Sequence, residues 1–332
     1  METDITLEAH HLVKHYQLKV GLLQTLTAKQ LPIVHAVDDI SFSIRKDELF
    51  GLVGESGCGK TTTGRMLVRL VEPTQGKILF KGTDITALPL ETEMRKLRRN
   101  MQIIFQDPYE SLNPRMSVFD IVAEPLRLQR VFKNEEEIRQ RVWETLTDLD
   151  MTPPEEYVYR FPHELSGGQR QRIAVARAFV LQPEFLVADE PVSMLDASIR
   201  SEVLKLLLAM VKKFHTSVLY ITHDVALTRY MCQNVAVMYL GKIVERGPTD
   251  EVIQKPLHPY TEALIAAVPV PDPTARRIEI VIKGEVPSAI NPPNGCRFNT
   301  RCPYAWDLCK AKEPPLIETS KNRYVACHKY TA

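Results

Sequence analysis

Short apolar runs alternate with longer helix-capable stretches along most of this chain. Residues 49–53, 185–188, 217–222 and 234–238 are nearly continuous in apolar character, as expected of strands buried on both faces. Amphipathic segments separate them, and that alternation predicts a mainly parallel sheet covered by helices, so the fold class is α/β. Ahead of the alternation, residues 6–16 and 33–45 are rich in Val and Ile and suit an antiparallel sheet at the edge of the core. From about 117 to 180 the pattern turns helical, and Glu135, Glu136 and Glu137 open one helix where its macrodipole favours carboxylates. Strand-like runs return afterwards, so the helical stretch, about 107–180 with its entry turn, is an insert into one sheet domain.

Past residue 268 the pattern breaks. Prolines stand at 269, 271, 273, 287, 292, 293 and 303, together with four of the six cysteines, which predicts a small, loop-rich C-terminal module. The boundary is placed at 250/251, giving a domain over 1–250 and the module over 251–332. The chain of 332 residues, 44% hydrophobic and 25% charged, supports one large core and this appendage. A formal net charge of +1 exerts no general pull on nucleic acid, and the basic run at 94–100 reads as a solvated helix face, so no nucleic-acid partner is expected. The apolar runs at 49–54 and 263–270 are far shorter than the roughly 18–20 residues of a membrane span. The polar, acidic start lacks a secretory layout, so the expected place is the cytoplasm, with any membrane role peripheral.

The chemistry lies at strand ends. Gly54-Glu55-Ser56-Gly57-Cys58-Gly59-Lys60-Thr61 follows the apolar run 49–53 and precedes the helix-capable run 62–70, which is a P-loop in the context it requires. Glycines Gly54, Gly57 and Gly59 let backbone N–H groups, with those of Ser56, Cys58 and Thr62, turn toward phosphate oxygens. Lys60 supplies charge to the β- and γ-phosphates, and the Thr61 hydroxyl is a ligand for Mg2+. Cys58 reads as a small residue that fits the loop. The run 185–188 ends in Asp189 and Glu190. Asp189 would hold Mg2+ and Glu190 would polarise the attacking water as general base, both at the carboxyl end of a parallel strand where such sheets bind ligands.

Leu165-Ser166-Gly167-Gly168-Gln169, leading a helical run over 170–180, resembles the signature motif of ABC ATPases. The resemblance implies a P-loop NTPase (RecA-like) core with an antiparallel β subdomain, a helical signature subdomain and a small C-terminal cysteine-containing module. It assigns Tyr16 to adenine stacking and Gln106 to the Q-loop near Mg2+. Ser193-Met194-Leu195-Asp196 becomes the D-loop and His223 the switch histidine at the γ-phosphate. Met194 departs from the Ala more common in the family. In the family, Ser166, Gly168 and Gln169, at a helix N-terminus whose free N–H groups favour anions, cap the ATP of a second subunit.

Two stretches resemble one branch, the oligopeptide and dipeptide importers. They are residues 105–115, around Gln106-Asp107-Pro108, and residues 256–273, opening Pro256-Leu257-His258-Pro259-Tyr260-Thr261. The likeness continues to the cysteines and is nearer the second, F-type ATPase than the D-type. It implies a paralogous D-type ATPase, two transmembrane permeases and an extracytoplasmic solute-binding protein as partners, with the chain on the cytoplasmic side of the membrane. The same family also imports nickel chelates, glutathione and oligosaccharides. A soluble ABC-type ATPase is the competing class, disfavoured by one P-loop, one signature and no sustained heptad run.

Cys296, Cys302, Cys309 and Cys327 are separated by five, six and seventeen residues. Clustered thiols in a cytoplasmic, loop-rich module suggest a metal in place of a large core, and thiolate softness selects zinc or an iron-sulfur cluster. The family resemblance points to a [4Fe-4S] cluster, with Zn2+ as the alternative.

Overall fold

The computed structural model describes residues 5–18, 32–268, 282 and 284–331. The chain divides into two units built from interleaved segments. The first comprises residues up to 7, 44–48 and 87–220, and the second comprises 8–43, 49–86 and 221–332.

The long strands β1 (Ile5–Gln17) and β2 (Ile33–Arg45) belong to the second unit except for residues 5–7 and 44–45. Ile40, Phe42 and Ile44 of β2 are buried while Ser43 and Arg45 are exposed, the period-two alternation of a sheet with one face on a core. The fully buried β3 (Leu49–Val53) leads through a glycine-rich loop into α1 (Lys60–Leu67), shorter than the run 62–70 suggested. A hairpin of β4 (Gln75–Phe80) and β5 (Thr83–Asp84) then pairs Phe80 with Thr83. Its two-residue turn places Lys81 and Gly82 at φ of 50° and 77°, the geometry that matches strand twist. These elements complete a sheet of order β2-β1-β4-β5, as the Val- and Ile-rich segments predict.

In the first unit the short helix α2 (Glu93–Leu97) precedes β6 (Met101–Ile104). The helical insert follows as α3 (Pro108–Ser111), α4 (Val118–Leu128), α5 (Glu135–Asp148) and α6 (Gly167–Phe179). The Asn134 side chain caps α5 by accepting from the Glu137 amide at 2.8 Å, and the three predicted glutamates fill the first turn. Val118, Ile121, Val122, Val142 and Leu146 form the buried stripe of α4 and α5. The buried strand β7 (Phe185–Asp189) lies parallel to β6, Met101 opposite Phe185 and Ile104 opposite Ala188. Helix α7 (Ala197–Phe214) leads to β8 (Ser217–Thr222), which neighbours β7.

The second unit resumes with α8 (Val225–Met231), β9 (Asn234–Tyr239) and β10 (Lys242–Pro248). Strand β3 runs parallel to β9, and β9 turns antiparallel into β10. Helices α9 (Thr249–Gln254), α10 (Pro259–Ala266) and α11 (Asp307–Ala311) are followed by β11 (Ile317–Ser320) and β12 (Arg323–Val325). The tail thus contributes strands as well as loops, since β12 pairs with β10 through Glu245 and Val325. Glu245 is fully buried and paired: Arg323 Nη2 donates to it at 2.6 Å, and the amides of Leu257 and His258 donate at 3.0 and 2.9 Å. A buried carboxylate tolerates desolvation only with that many partners. Burial pushes His258 down to about 3, so the ring stays neutral and its Nδ1 accepts from the Tyr260 amide at 3.0 Å, capping α10.

Candidate nucleotide site

The cradle belongs to the second unit. Buried β3 fixes where the chain leaves the sheet, and the loop 54–59 carries it to Lys60 at the head of α1. Gly59 sits at φ 106°, and a Cβ there would lie 2.1 Å from the Ala36 carbonyl oxygen. Only glycine fits. Lys60 is buried, and its Nζ donates to the carbonyl oxygens of Gly54 (2.7 Å) and Glu55 (3.0 Å). Those oxygens stand where an ammonium would otherwise meet phosphate. Ser56 and Gly57 are exposed, and Thr61 and Thr62 are half-buried on the first helical turn. A glycine-turned loop, helix-head amides and one folded-in ammonium suit a polyphosphate. Burial pushes the Cys58 thiol up, which agrees with Cys58 as a small packing residue.

Two residues outside the motif hold this loop. Tyr260 Oη accepts from the Glu55 amide at 2.9 Å, and Arg301 donates to both carboxylate oxygens of Glu55, at 2.8 and 3.2 Å. No spacing rule connects positions so far apart in sequence. Also in the second unit, Tyr16 is an exposed ring near the end of β1 with the Lys14 ammonium 5.0 Å from its centroid. His223 follows β8 and is exposed, and its neighbour Asp224 caps α8 by accepting from the Ala226 and Leu227 amides at 2.9 and 3.1 Å.

The first unit holds the other predicted residues. Asp189 ends β7 and is buried. Glu190 has φ 46°, a left-handed conformation that costs a non-glycine residue of order 1–3 kcal/mol and clusters at functional sites. Gln106 Nε2 donates to Glu190 Oε2 at 3.2 Å, so the structure brings these two together. Ser193 supports the bend, its amide and hydroxyl donating to the Glu190 carbonyl at 3.2 and 3.0 Å. Met194, the departure from the family pattern, is exposed.

Ser166 caps α6. The Gln169 amide donates to Ser166 Oγ at 3.3 Å and the Ser166 amide to Gln169 Oε1 at 2.9 Å, a reciprocal box. The box uses an acceptor of each side chain and leaves the Ser166 O–H and the Gln169 NH2 able to donate, and the amides of Gly167 and Gly168 head the helix. Gly168 is required by packing, because a Cβ would lie 2.6 Å from Ile199 Cγ2. From the same helix the Arg170 guanidinium stacks 3.8 Å from the exposed Tyr109 ring, and Arg177 donates to the Ser111 carbonyl. The signature helix is thereby tied to the segment that follows Gln106.

Cys296, Cys302, Cys309 and Cys327 line one cavity of about 20 Å3 together with His258 and His328. The Cys296 amide donates to the Cys309 carbonyl at 2.8 Å. Burial pushes the Cys296 thiol up to about 12, and burial together with neighbouring thiols raises Cys302 and Cys327.

Residues 37–193 match the family described as ABC transporter, and residues 244–309 match the oligopeptide/dipeptide transporter, C-terminal region. The chain is 45% identical over 326 residues to the probable peptide ABC transporter ATP-binding protein y4tS of Sinorhizobium fredii, covering 98% of this chain and 90% of the relative. It is 44% identical over 327 residues to the oligopeptide transport ATP-binding protein AppF of Bacillus subtilis, covering 98% and 97%. Among solved structures, a dimeric post-hydrolysis form of the ATP-binding cassette MJ0796 bound to ADP and phosphate superposes with a TM-score of 0.63 at 26% identity, over 73% of this chain and 98% of that one. The fold is therefore that of an ATP-binding cassette. The chain belongs to the ABC transporter ATP-binding proteins that carry the oligopeptide/dipeptide transporter C-terminal region. Among the described residues no helix is long and apolar enough to cross a membrane.

Proposed function

We propose that this chain is the subunit whose ATP hydrolysis drives uptake of dipeptides or oligopeptides through membrane permeases. The observation that carries the reading is the presence in one chain of a cradle built for polyphosphate and a C-terminal region of the peptide-transporter kind. Lys60 moves from the Gly54 and Glu55 carbonyls onto the β- and γ-phosphates, while the amides of the loop and Thr62 hold the remaining oxygens. Thr61, Asp189 and Gln106 would hold Mg2+, which would supply neutralisation of phosphate charge there. Tyr16 stacks on adenine and His223 contacts the γ-phosphate. Glu190, aimed by its bend and by Gln106, takes a proton from water as the oxygen attacks the γ-phosphorus, the bond to the β-phosphate oxygen breaks, and ADP and phosphate leave.

The head of α6, with Ser166, Gly168 and Gln169, caps the ATP of a paralogous D-type chain, so ATP joins two ATPases and hydrolysis releases them. The segment around Tyr109, bound to α6 through Arg170, faces the permeases at the cytoplasmic side of the membrane, and an extracytoplasmic solute-binding protein delivers the peptide. Reconstitution with these partners tests the reading. Turnover stimulated by peptide supports it, and stimulation by a nickel chelate, glutathione or an oligosaccharide instead transfers it to that solute.

The four cysteines hold a [4Fe-4S] cluster in this reading. Five, six and seventeen residues separate the four cysteines, with no Cys-x-x-Cys pair among them, a spacing that a larger cluster accommodates more readily than a structural zinc site. The raised thiols favour the protonated state without metal, so binding releases protons. Anaerobic purification is expected to yield a coloured protein with iron and sulfide in equal amounts. A colourless protein with one zinc refutes the cluster, and neither metal refutes the metal site.

A further inference from the structure

Glu55 is the residue of the phosphate loop for which the nucleotide chemistry has no use, yet all its polar groups are engaged. Its amide donates to Tyr260 Oη (2.9 Å), its carbonyl accepts from Lys60 Nζ (3.0 Å), and its carboxylate receives the Arg301 fork at 2.8 and 3.2 Å. The Arg301 side chain is only 9% exposed, so a charged group has been brought inside to meet this loop. Its Nη1 also lies 3.4 Å from Tyr239 Oη, and its guanidinium is 5.9 Å from the centre of the Phe298 ring. Tyr239, Tyr260 and Phe298 pack on one another at centroid distances of 4.6, 5.3 and 5.5 Å, in the same buried cluster as Val53, which feeds the loop. Arg301 itself stands between Cys296 and Cys302, and its amide is fixed to the Phe298 carbonyl at 3.0 Å.

We infer that Glu55 and Arg301 are a positioning pair for the phosphate cradle, through which the cysteine-bearing segment tunes nucleotide affinity and bound nucleotide in turn orders that segment. The inference rests on the reading of residues 54–61 as an ATP cradle. Two physical effects act together. A carboxylate within a loop that must accept a polyphosphate repels its ligand unless a cation covers it, and Arg301 covers it. A two-pronged guanidinium–carboxylate contact also fixes orientation, and the Glu55 carbonyl it steadies is one of the two that hold Lys60 at rest. Coupling of this kind is reciprocal, so what the segment does to the nucleotide the nucleotide does to the segment.

The full-length chain suffices for the test, with a fluorescent ATP analogue for affinity and amide hydrogen exchange for order. Arg301→Ala leaves Glu55 charged and uncovered, and affinity falls about tenfold. Arg301→Lys keeps charge without the fork and falls in between. Glu55→Gln, which removes the repulsive charge but breaks the two-pronged contact, lowers affinity less than Arg301→Ala does, and adding it to Arg301→Ala restores part of the loss. In the unaltered protein, ATP slows exchange of the amides of residues 297–302, and Glu55→Gln diminishes that protection. Equal weakening in Arg301→Ala and in the double variant overturns the pair, as does exchange at 297–302 that ATP leaves untouched. If Arg301→Ala does not fold, the exchange measurement on the unaltered and Glu55→Gln proteins decides alone. Failure of the cradle reading is distinguishable, because then Lys60→Ala binds ATP normally.

Discussion

Replacing Glu190 by glutamine lowers ATP turnover of the assembled complex by about a hundredfold to ten-thousandfold, the usual worth of a general base, while ATP still binds. The amide keeps the size of the side chain and an acceptor oxygen for Gln106 Nε2, now 3.2 Å from Glu190 Oε2, so the bend at φ 46° has no reason to relax. What disappears is the capacity to accept a proton from water. ATP is therefore bound and held. Steady-state phosphate release measures the effect beside an equilibrium binding assay. A fall of less than about fivefold removes Glu190 from the role of base, and a parallel loss of binding shows that the substitution disturbed the site instead.

Replacing Lys60 by alanine acts on the other half of the chemistry. The buried ammonium makes two contacts with loop carbonyls, at 2.7 and 3.0 Å, and exchanges them for phosphate oxygens when ATP arrives. Hydrogen bonds to charged groups are worth about 1.5–3 kcal/mol each, so affinity for ATP drops by roughly a hundredfold or more. Stability falls too, by about 1–3 kcal/mol, because the Gly54 carbonyl loses its partner in a buried hydrogen bond. Calorimetric titration with ATP and a thermal melt separate the two effects. Unchanged affinity contradicts the cradle.

The repeated apolar runs made the α/β class and the strands β3, β7, β8 and β9 legible, because a strand buried on both faces leaves a continuous hydrophobic signature. The start of α5 was legible as well, since Glu135, Glu136 and Glu137 suit a helix's first turn; its Asn134 cap was seen only in the structure. Strands β6, β11 and β12 were not. Met101–Ile104 is four residues with a polar Gln102, and β11 and β12 are short strands of four and three residues, placed by the pairing of β12 with β10 and of β11 with β12. Long-range pairing leaves no local trace.

The site divides in the same way. Residues 54–61 and the Asp189-Glu190 pair could be read from contiguous motifs whose spacing follows from how a backbone wraps a phosphate. The family resemblance supplied Gln106, and the structure placed it on Glu190. The Glu55–Arg301 contact joins residues 246 positions apart, and neither is unusual in its local sequence. The resemblance assigned Gln169 to the ATP of a second subunit, and in the structure its Oε1 accepts from the Ser166 amide at the head of α6.

Peptide accumulation in sealed vesicles that contain this chain, its ATPase partner and the two permeases, with the solute-binding protein supplied on the receptor side, tests the central claim most directly. The account predicts that labelled peptide accumulates only when ATP is present on the side bearing this chain, and that Glu190→Gln abolishes accumulation while ATP remains bound. Accumulation at an undiminished rate in the Glu190→Gln complex, or ATP turnover by the intact assembly with no movement of any peptide, contradicts it.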